Sequence, residues 1–176
     1  MKITKLHQVS TKMGDQGFSA NYVNEKFRKD NILFDVLGTS DELSSWLGLT
    51  YHYAKYEPIL EIQKALQSMN SLIASTPVKV QGGPGKIEAW SETYLAFVEE
   101  EEQRLLTLHP IEGRFVLPGS EASLPGAYFD MARAICRRAE RKVVKYINES
   151  GRDDLWSVLK YINRLSDLLF VLARTV

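Results

Sequence analysis

Residues 127–147, AYFDMARAICRRAERKVVKYI, decide how this chain is read. Ala132, Cys136, Ala139, Val143 and Tyr146 recur at three- and four-residue spacing, the period of a helix with one buried face. Arg133, Arg137 and Arg141 follow one another at intervals of four and so share a second face. That face lies roughly 100° round from the apolar one, at the edge of the core. Glu140 stands three residues after Arg137, close enough to pair with it or orient it. A solvated basic face is one reading of these arginines. The preference for Arg favours another, because its planar fork binds phosphate oxygens two at a time and keeps its charge when partly buried.

Working outward, the neighbouring segments are also helical. Toward the C-terminus, Leu155, Val158, Ile162, Leu165, Leu169 and Leu172 predict a fifth helix over about 154–174. Asn163, Asp167, Phe170 and Arg174 form a second face on it. A buried Asn needs partners, so a structural hydrogen bond to a neighbouring helix and a ligand site are both open there. Toward the N-terminus, Phe115-Val116-Leu117 reads as a short extended piece ending at Pro118-Gly119. Ile87, Trp90, Tyr94, Phe97, Leu105 and Leu108 mark a third helix. The acidic run 99–102 crosses it as a solvated face, although Glu101 falls on the apolar stripe. A loop, Gln81-Gly82-Gly83-Pro84-Gly85, separates it from a stripe of Ile59, Ile62, Leu66, Met69 and Ile73, which opens at Pro58 and stops at Pro77. The first helix is expected to start at a capping box, Thr39 with Glu42, and to carry Leu43, Leu47, Thr50 or Tyr51, and Ala54 on its apolar stripe. Residues 1–36 show no sustained helical period. The expectation is an all-α five-helix bundle in one domain, 1–176, preceded by an irregular N-terminal segment.

Composition narrows the function. Lys plus Arg number 22 and so do Asp plus Glu, so no overall field draws the chain to nucleic acid or an anionic membrane. With 44% hydrophobic residues over 176 positions, the chain can bury a core without metal or disulfide staples. A single cysteine, Cys136, suits a reducing compartment, and its place in an apolar stripe makes it core in preference to nucleophile. No signal peptide or membrane span is read, and a soluble cytoplasmic protein is expected. The three histidines lack the Glu-x-x-His pattern of a ferritin-like di-metal site, and no zinc-ligand spacing occurs. In the N-terminal run Ser10 to Ser19, the glycines let backbone N–H groups turn toward an anion, and Lys12, Thr11 and Ser19 could complete a phosphate cradle. No Gly-Lys-Ser/Thr follows, so this is not a Walker A loop, and a simple turn is the alternative.

In this order, the pieces resemble the PduO-type ATP:cob(I)alamin adenosyltransferases. The matching runs are Thr11 to Gly17, Lys29-Asp30, Gly38 to Leu43, Phe115 to Gly119, Ala132 to Arg141 and Tyr161 to Phe170. The resemblance implies a ferritin-like, cobalamin adenosyltransferase-like bundle, the N-terminal segment binding nucleotide. It implies a homotrimer in which ATP and cobalamin meet at each subunit boundary. The reaction it implies moves the 5′-deoxyadenosyl group of ATP to cob(I)alamin, supplied by a reductase, and releases triphosphate. Under it, Thr11, Lys12, Gly14, Asp15, Gly17, Ser19, Lys29 and Arg137 would bind ATP. Glu140 and Asn163 would position Mg²⁺ or the nucleotide. Arg133 would pair with Asp41 across the boundary and, with Phe115 and Phe170, line the cobalamin side. Asp41, Phe115, Arg133 and Arg137 are the catalytic set it implies. The family's usual Arg-Thr is here Lys12-Met13, and Phe18-Ser19-Ala20 follows Gly17. Leu33 replaces an arginine, Asp35 a glutamate, Ser44 an asparagine and Asp130 a histidine. A divergent nucleotide- or cobalamin-binding paralogue without turnover is the alternative those departures raise.

Overall fold

The computed structural model describes residues 2–75, 90–120 and 123–176. The expected loop at 81–85, the stop at Pro77 and the stripe residue Ile87 lie outside them. Among the described residues five long helices follow one another: α1 (Ile32–Ala54), α2 (Pro58–Ile73), α3 (Thr93–Leu108), α4 (Leu124–Ser150) and α5 (Trp156–Thr175). Ahead of them stand a 3-10 turn at Leu6–Gln8 and a hairpin of β1 (Phe18–Ala20) and β2 (Lys26–Arg28), in which Ser19 pairs with Phe27. The all-α bundle is as expected. The hairpin is an addition, since three-residue strands are too short to show an alternation.

α1 begins eight residues before the expected start. Asn31, not Thr39, caps it: the Asn31 Oδ1 accepts the Leu33 N–H at 2.9 Å. Thr39 is buried within the helix, where its hydroxyl donates to the Asp35 carbonyl one turn back. Residues 32–38 contain no proline and place Leu33 and Val36 in the core, so burial extends the helix through the supposed box. α2 opens on Pro58, as expected. α3 starts at Thr93, so Trp90 approaches it from outside the helix and donates its indole N–H to Ser157 on α5. A 3-10 turn at Asp153–Leu155 leads into α5, a shift of two residues from the expected start.

α4 and α5 form the centre. α4 packs on α1 and α5, α3 covers α5, and α2 covers α1. Leu43, Leu47, Ile62, Leu66, Val143, Ile162, Leu165 and Leu169 are fully buried between them. Each such side chain contributes roughly 1.5–3 kcal/mol relative to exposure. Cys136 sits among them and donates its thiol to the Ile162 carbonyl, and burial pushes that thiol's pKa well up. Glu101 is no solvated residue: its carboxylate accepts from the Tyr56 hydroxyl and from Arg104, joining α3 to the chain between α1 and α2. Gly126, in the first turn of α4, lets that helix approach α5 closely. A Cβ there would lie 2.8 Å from the Ala173 carbonyl oxygen.

Candidate functional site

The residues singled out in the sequence fall in an N-terminal group, a pair across α4 and α5, and a second place at the start of α4. The first gathers the N-terminal turn. Lys12 and Gly17 both take positive φ, 60° and 78°, which folds the Lys12–Gly17 stretch into consecutive turns. The Lys29 N–H then donates to the Gly17 carbonyl at 2.8 Å, fixing the hairpin's far strand beside the turn. Lys29 Nζ lies so near Gly14 that a Cβ on that glycine would stand 2.7 Å from it. Lys29 and the glycine turn, far apart in the sequence pattern, are thus one cluster. Met13, in place of a family threonine, is 83% exposed.

On α4, Glu140 and Asn163 meet as one unit. Asn163 donates its Nδ2 to Glu140 Oε1 at 2.8 Å, and its Oδ1 accepts from Arg164 at 2.7 Å. The hydrogen bond to a neighbouring helix read as one option for Asn163 is therefore present. Glu140 makes no ion pair with Arg137 among the described residues. Arg137 is exposed, as is Arg141, while Arg133 is half-buried. Arg138 and Lys142 are the α4 cations that pair with α1. Arg138 bonds Glu42, and Lys142 bonds Asp35 at 2.5 Å and the Thr39 hydroxyl at 2.8 Å. Asp41 is exposed on α1, at the edge of a groove of about 1410 Å³ between α1 and α2 whose walls include Phe34, Gly38, Gln63 and Asn70. None of the other candidate residues lines that groove. Leu33 is 3% exposed and faces the core, so it contributes no group to a ligand.

The second place lies at the start of α4. Phe115 is 88% exposed on the segment that precedes the helix. The run 115–117 is irregular, so the expected extended piece forms no strand. Phe170 is half-buried on α5, and the Arg174 guanidinium lies over its ring, 4.9 Å from the centroid. A cavity of about 150 Å³ between α5 and the segment is lined by Phe170, Arg174, Ile111, Arg114 and Val116. Beneath it Arg174 forms a two-pronged pair with Asp130, both bonds at 3.0 Å. The Asp130 Oδ2 also accepts the Gly119 N–H at 3.3 Å, and Arg133 Nε lies 3.7 Å from Oδ1. Arg174 was visible in the sequence as part of a face, but its partner was not. The signal available was a carboxylate at position 130, between the apolar Phe129 and Ala132.

No cluster of three or more His, Cys, Asp or Glu side chains able to hold a metal occurs among the described residues. The Glu140–Asn163 unit offers oxygen donors only, a set that fits a magnesium ion held mainly by phosphates.

Comparison with known proteins identifies one family. A profile of the cobalamin adenosyltransferase family matches residues 9–176. Over 98% of its length the chain is 35% identical to corrinoid adenosyltransferase MMAB of Bos taurus, covering 73% of that protein. It is 31% identical to a corrinoid adenosyltransferase of Bacillus subtilis, covering 94% of this chain and 84% of the relative. Among solved structures, it is similar to a phenylalanine-to-alanine variant of a PduO-type ATP:corrinoid adenosyltransferase from Lactobacillus reuteri, complexed with cobalamin and ATP. The TM-score is 0.81 at 27% identity, over 95% of this chain and 92% of that one. An arginine-to-lysine variant from the same organism, complexed with ATP, gives 0.79 at 27% identity, over 94% and 92%. The chain belongs to the cobalamin adenosyltransferase family.

Proposed function

We propose that this protein transfers the 5′-deoxyadenosyl group of ATP to cob(I)alamin, giving adenosylcobalamin and triphosphate. The observation that carries the reading is the match of nearly the whole chain, at 27% identity and a TM-score of 0.81, to an adenosyltransferase complexed with both ligands. In the step, an electron pair on cobalt attacks C5′ of ATP. A cobalt–carbon bond forms, the C5′–O5′ bond breaks, and triphosphate leaves with that bond's electrons.

The leaving group gathers negative charge, so fixed donors aimed at it lower the barrier. Lys12, Lys29, Thr11, Ser19 and the backbone of the Gly14–Asp15–Gly17 turn would take the phosphates. Arg137 supports that role because it is exposed and has no ion-pair partner among the described residues. Mg²⁺, when bound, neutralises part of the triphosphate charge. Glu140 would hold it, with Asn163 setting the carboxylate's orientation through its 2.8 Å bond.

Phe115 and Phe170 would present an apolar wall to cobalamin. Displacing cobalt's lower axial ligand with such a wall eases reduction to Co(I). A homotrimer, with Arg133 of one subunit against Asp41 of the next, would complete the site, and the exposure of Asp41 supports it. A reductase would supply the electron. A cytoplasmic, reducing location accords with the lone thiol of Cys136, and no helix among the described residues is long and apolar enough to cross a membrane.

One observation favours a paralogue that binds ligand without turnover: Leu33 is buried where the family carries an arginine. The test is anaerobic. ATP, Mg²⁺ and chemically reduced cobalamin are supplied, and adenosylcobalamin and triphosphate are followed. Product above the uncatalysed rate is expected. Calorimetric binding of ATP or cobalamin with no product would establish the paralogue instead.

A further inference from the structure

Asp130 and Arg174 are the least exposed ion pair among the described residues, their side chains 4% and 6% accessible. Taking two charges out of water costs several kcal/mol for each ion, and a well-packed apolar pair would stabilise the bundle about as well. Stability alone does not account for the pair. Its geometry does offer an account, because the Asp130 carboxylate is the junction of three parts of the proposed cobalamin side. Through the Gly119 N–H it holds the C-terminal end of the segment that carries Phe115. Through the two-pronged bond to Arg174 it fixes the guanidinium lying over the Phe170 ring. At 3.7 Å from Arg133 Nε, otherwise without a partner, it orients the arginine proposed to cross the subunit boundary. The neighbourhood is tight: the Ser123 hydroxyl, which caps α4, also donates to the Val176 carbonyl, and Gly126 abuts Ala173.

We infer that Asp130, with Arg174, is a positioning residue that holds the Phe115 segment and the Phe170 ring in the arrangement that keeps cobalt's lower ligand displaced. The inference rests on the adenosyltransferase reading. It makes a demand that a purely structural pair does not. Cobalamin carries its lower base on a nucleotide loop, which must be pushed off cobalt. Cobinamide lacks that loop and has only a weakly held water to lose. Losing the pair therefore penalises the two corrinoids unequally.

The experiment compares the unaltered protein with Asp130→Asn, which keeps shape and removes charge, and Arg174→Lys, which keeps charge and removes the fork. Thermal melts establish that each variant folds, and if one does not, the other carries the comparison. Co(II) cobalamin and Co(II) cobinamide are supplied at saturating ATP with an excess of a reductant too weak to reduce five-coordinate Co(II) cobalamin free in solution. The expected result is a fall of about tenfold in the ratio of kcat/KM for cobalamin to that for cobinamide, the scale of one lost charge-assisted hydrogen bond. The KM for ATP should stay within about twofold, since the nucleotide groups lie elsewhere on α4. In the absorption spectrum of bound Co(II) cobalamin, the fraction freed of its lower ligand should drop. Equal losses on both corrinoids, or none, would overturn the positioning role and leave the pair structural. If the unaltered protein yields no adenosylated product from either corrinoid, the adenosyltransferase reading itself falls, and the inference with it.

Discussion

Substituting Gly126 by alanine sets two opposed effects against each other at one atom. Gly126 lies in the first turn of α4, and alanine in a helix is favoured over glycine by up to ~1 kcal/mol. Against this, the new Cβ would stand 2.8 Å from the Ala173 carbonyl oxygen and 3.3 Å from the Ser123 Cβ. The first of these contacts is with backbone, so no side chain can rotate away. Relief requires α4 and α5 to separate by roughly half an ångström, and overpacking of that kind costs about 1–3 kcal/mol. The clash wins by up to about 2 kcal/mol, which for a chain of this length lowers Tm by as much as roughly 4–8 °C. Differential scanning calorimetry and urea titration of the two proteins measure it. Because Ala173 directly precedes Arg174, the same shift moves the guanidinium relative to Asp130. Corrinoid KM should therefore rise with the loss of stability. A Gly126→Ala protein more stable than its parent would overturn this, for helix propensity would then outweigh the close approach.

Other perturbations have equally definite outcomes. Arg137→Ala should lower kcat/KM for ATP by about 10²-fold, the scale of one lost donor to a developing anion, without lowering Tm, as steady-state kinetics and a thermal melt would show. Arg152→Ala removes the guanidinium that bonds the Leu72 and Ser75 carbonyls at the end of α2; the Leu72 carbonyl keeps the Ser75 N–H, but the Ser75 carbonyl is left unmet, at a cost of about 1–3 kcal/mol read by urea unfolding. Glu101→Gln should cost about 1–2 kcal/mol, discounted because Arg104 is half exposed. Hydrogen bonds from Arg104, and secondarily from Tyr56, hold the Glu101 carboxyl below the usual carboxylate range in spite of its burial. A folded pKa below the unfolded one means that the carboxylate stabilises above that range and ceases to do so as pH falls through the folded value. The stability gap between Glu101→Gln and its parent should accordingly close on acidification, measured by urea titration across pH 3–6. The Tyr56 phenol, pushed far up by burial and by Glu101, stays a donor throughout.

What could be read in the sequence was whatever shows in a local period. Ala132, Cys136, Ala139 and Val143 repeat without interruption, and α4 follows. The sequence pattern starts α1 late because Thr39 and Glu42 match a cap in isolation. The choice between the two starts depended on burying Leu33 and Val36 against other helices, which no local pattern states. The same limit applied to the site. Lys29 and Gly14 were separate motifs until β1 and β2 paired. Asp130 and Arg174 stand 44 residues apart and look like unrelated surface charges. What marks them is a place beside an apolar stripe at matching ends of two antiparallel helices. One buried charge of each sign on facing helices is a signal only after the pairing of α4 with α5 is known.

The two ends of the proposed site are also built on different physical terms, and this orders the departures from the family. At the nucleotide end, the contacts between α4 and α1 are ion pairs open to water: Arg138 with Glu42, and Lys142 with Asp35. Such pairs contribute little individually and are screened by salt, so a chain can exchange a glutamate for Asp35, or a threonine for the exposed Met13, with small effect on the fold. At the corrinoid end, Asp130 and Arg174 are shielded from water and committed to each other. Removing either partner alone leaves a buried charge unpaired, at a cost of about 3–5 kcal/mol. A histidine at position 130 would meet Arg174⁺ either as a like charge or as a neutral group without two acceptors for the guanidinium fork. The aspartate therefore changes how this end is held together, whereas the substitutions around the N-terminal turn change only which groups face the proposed nucleotide site.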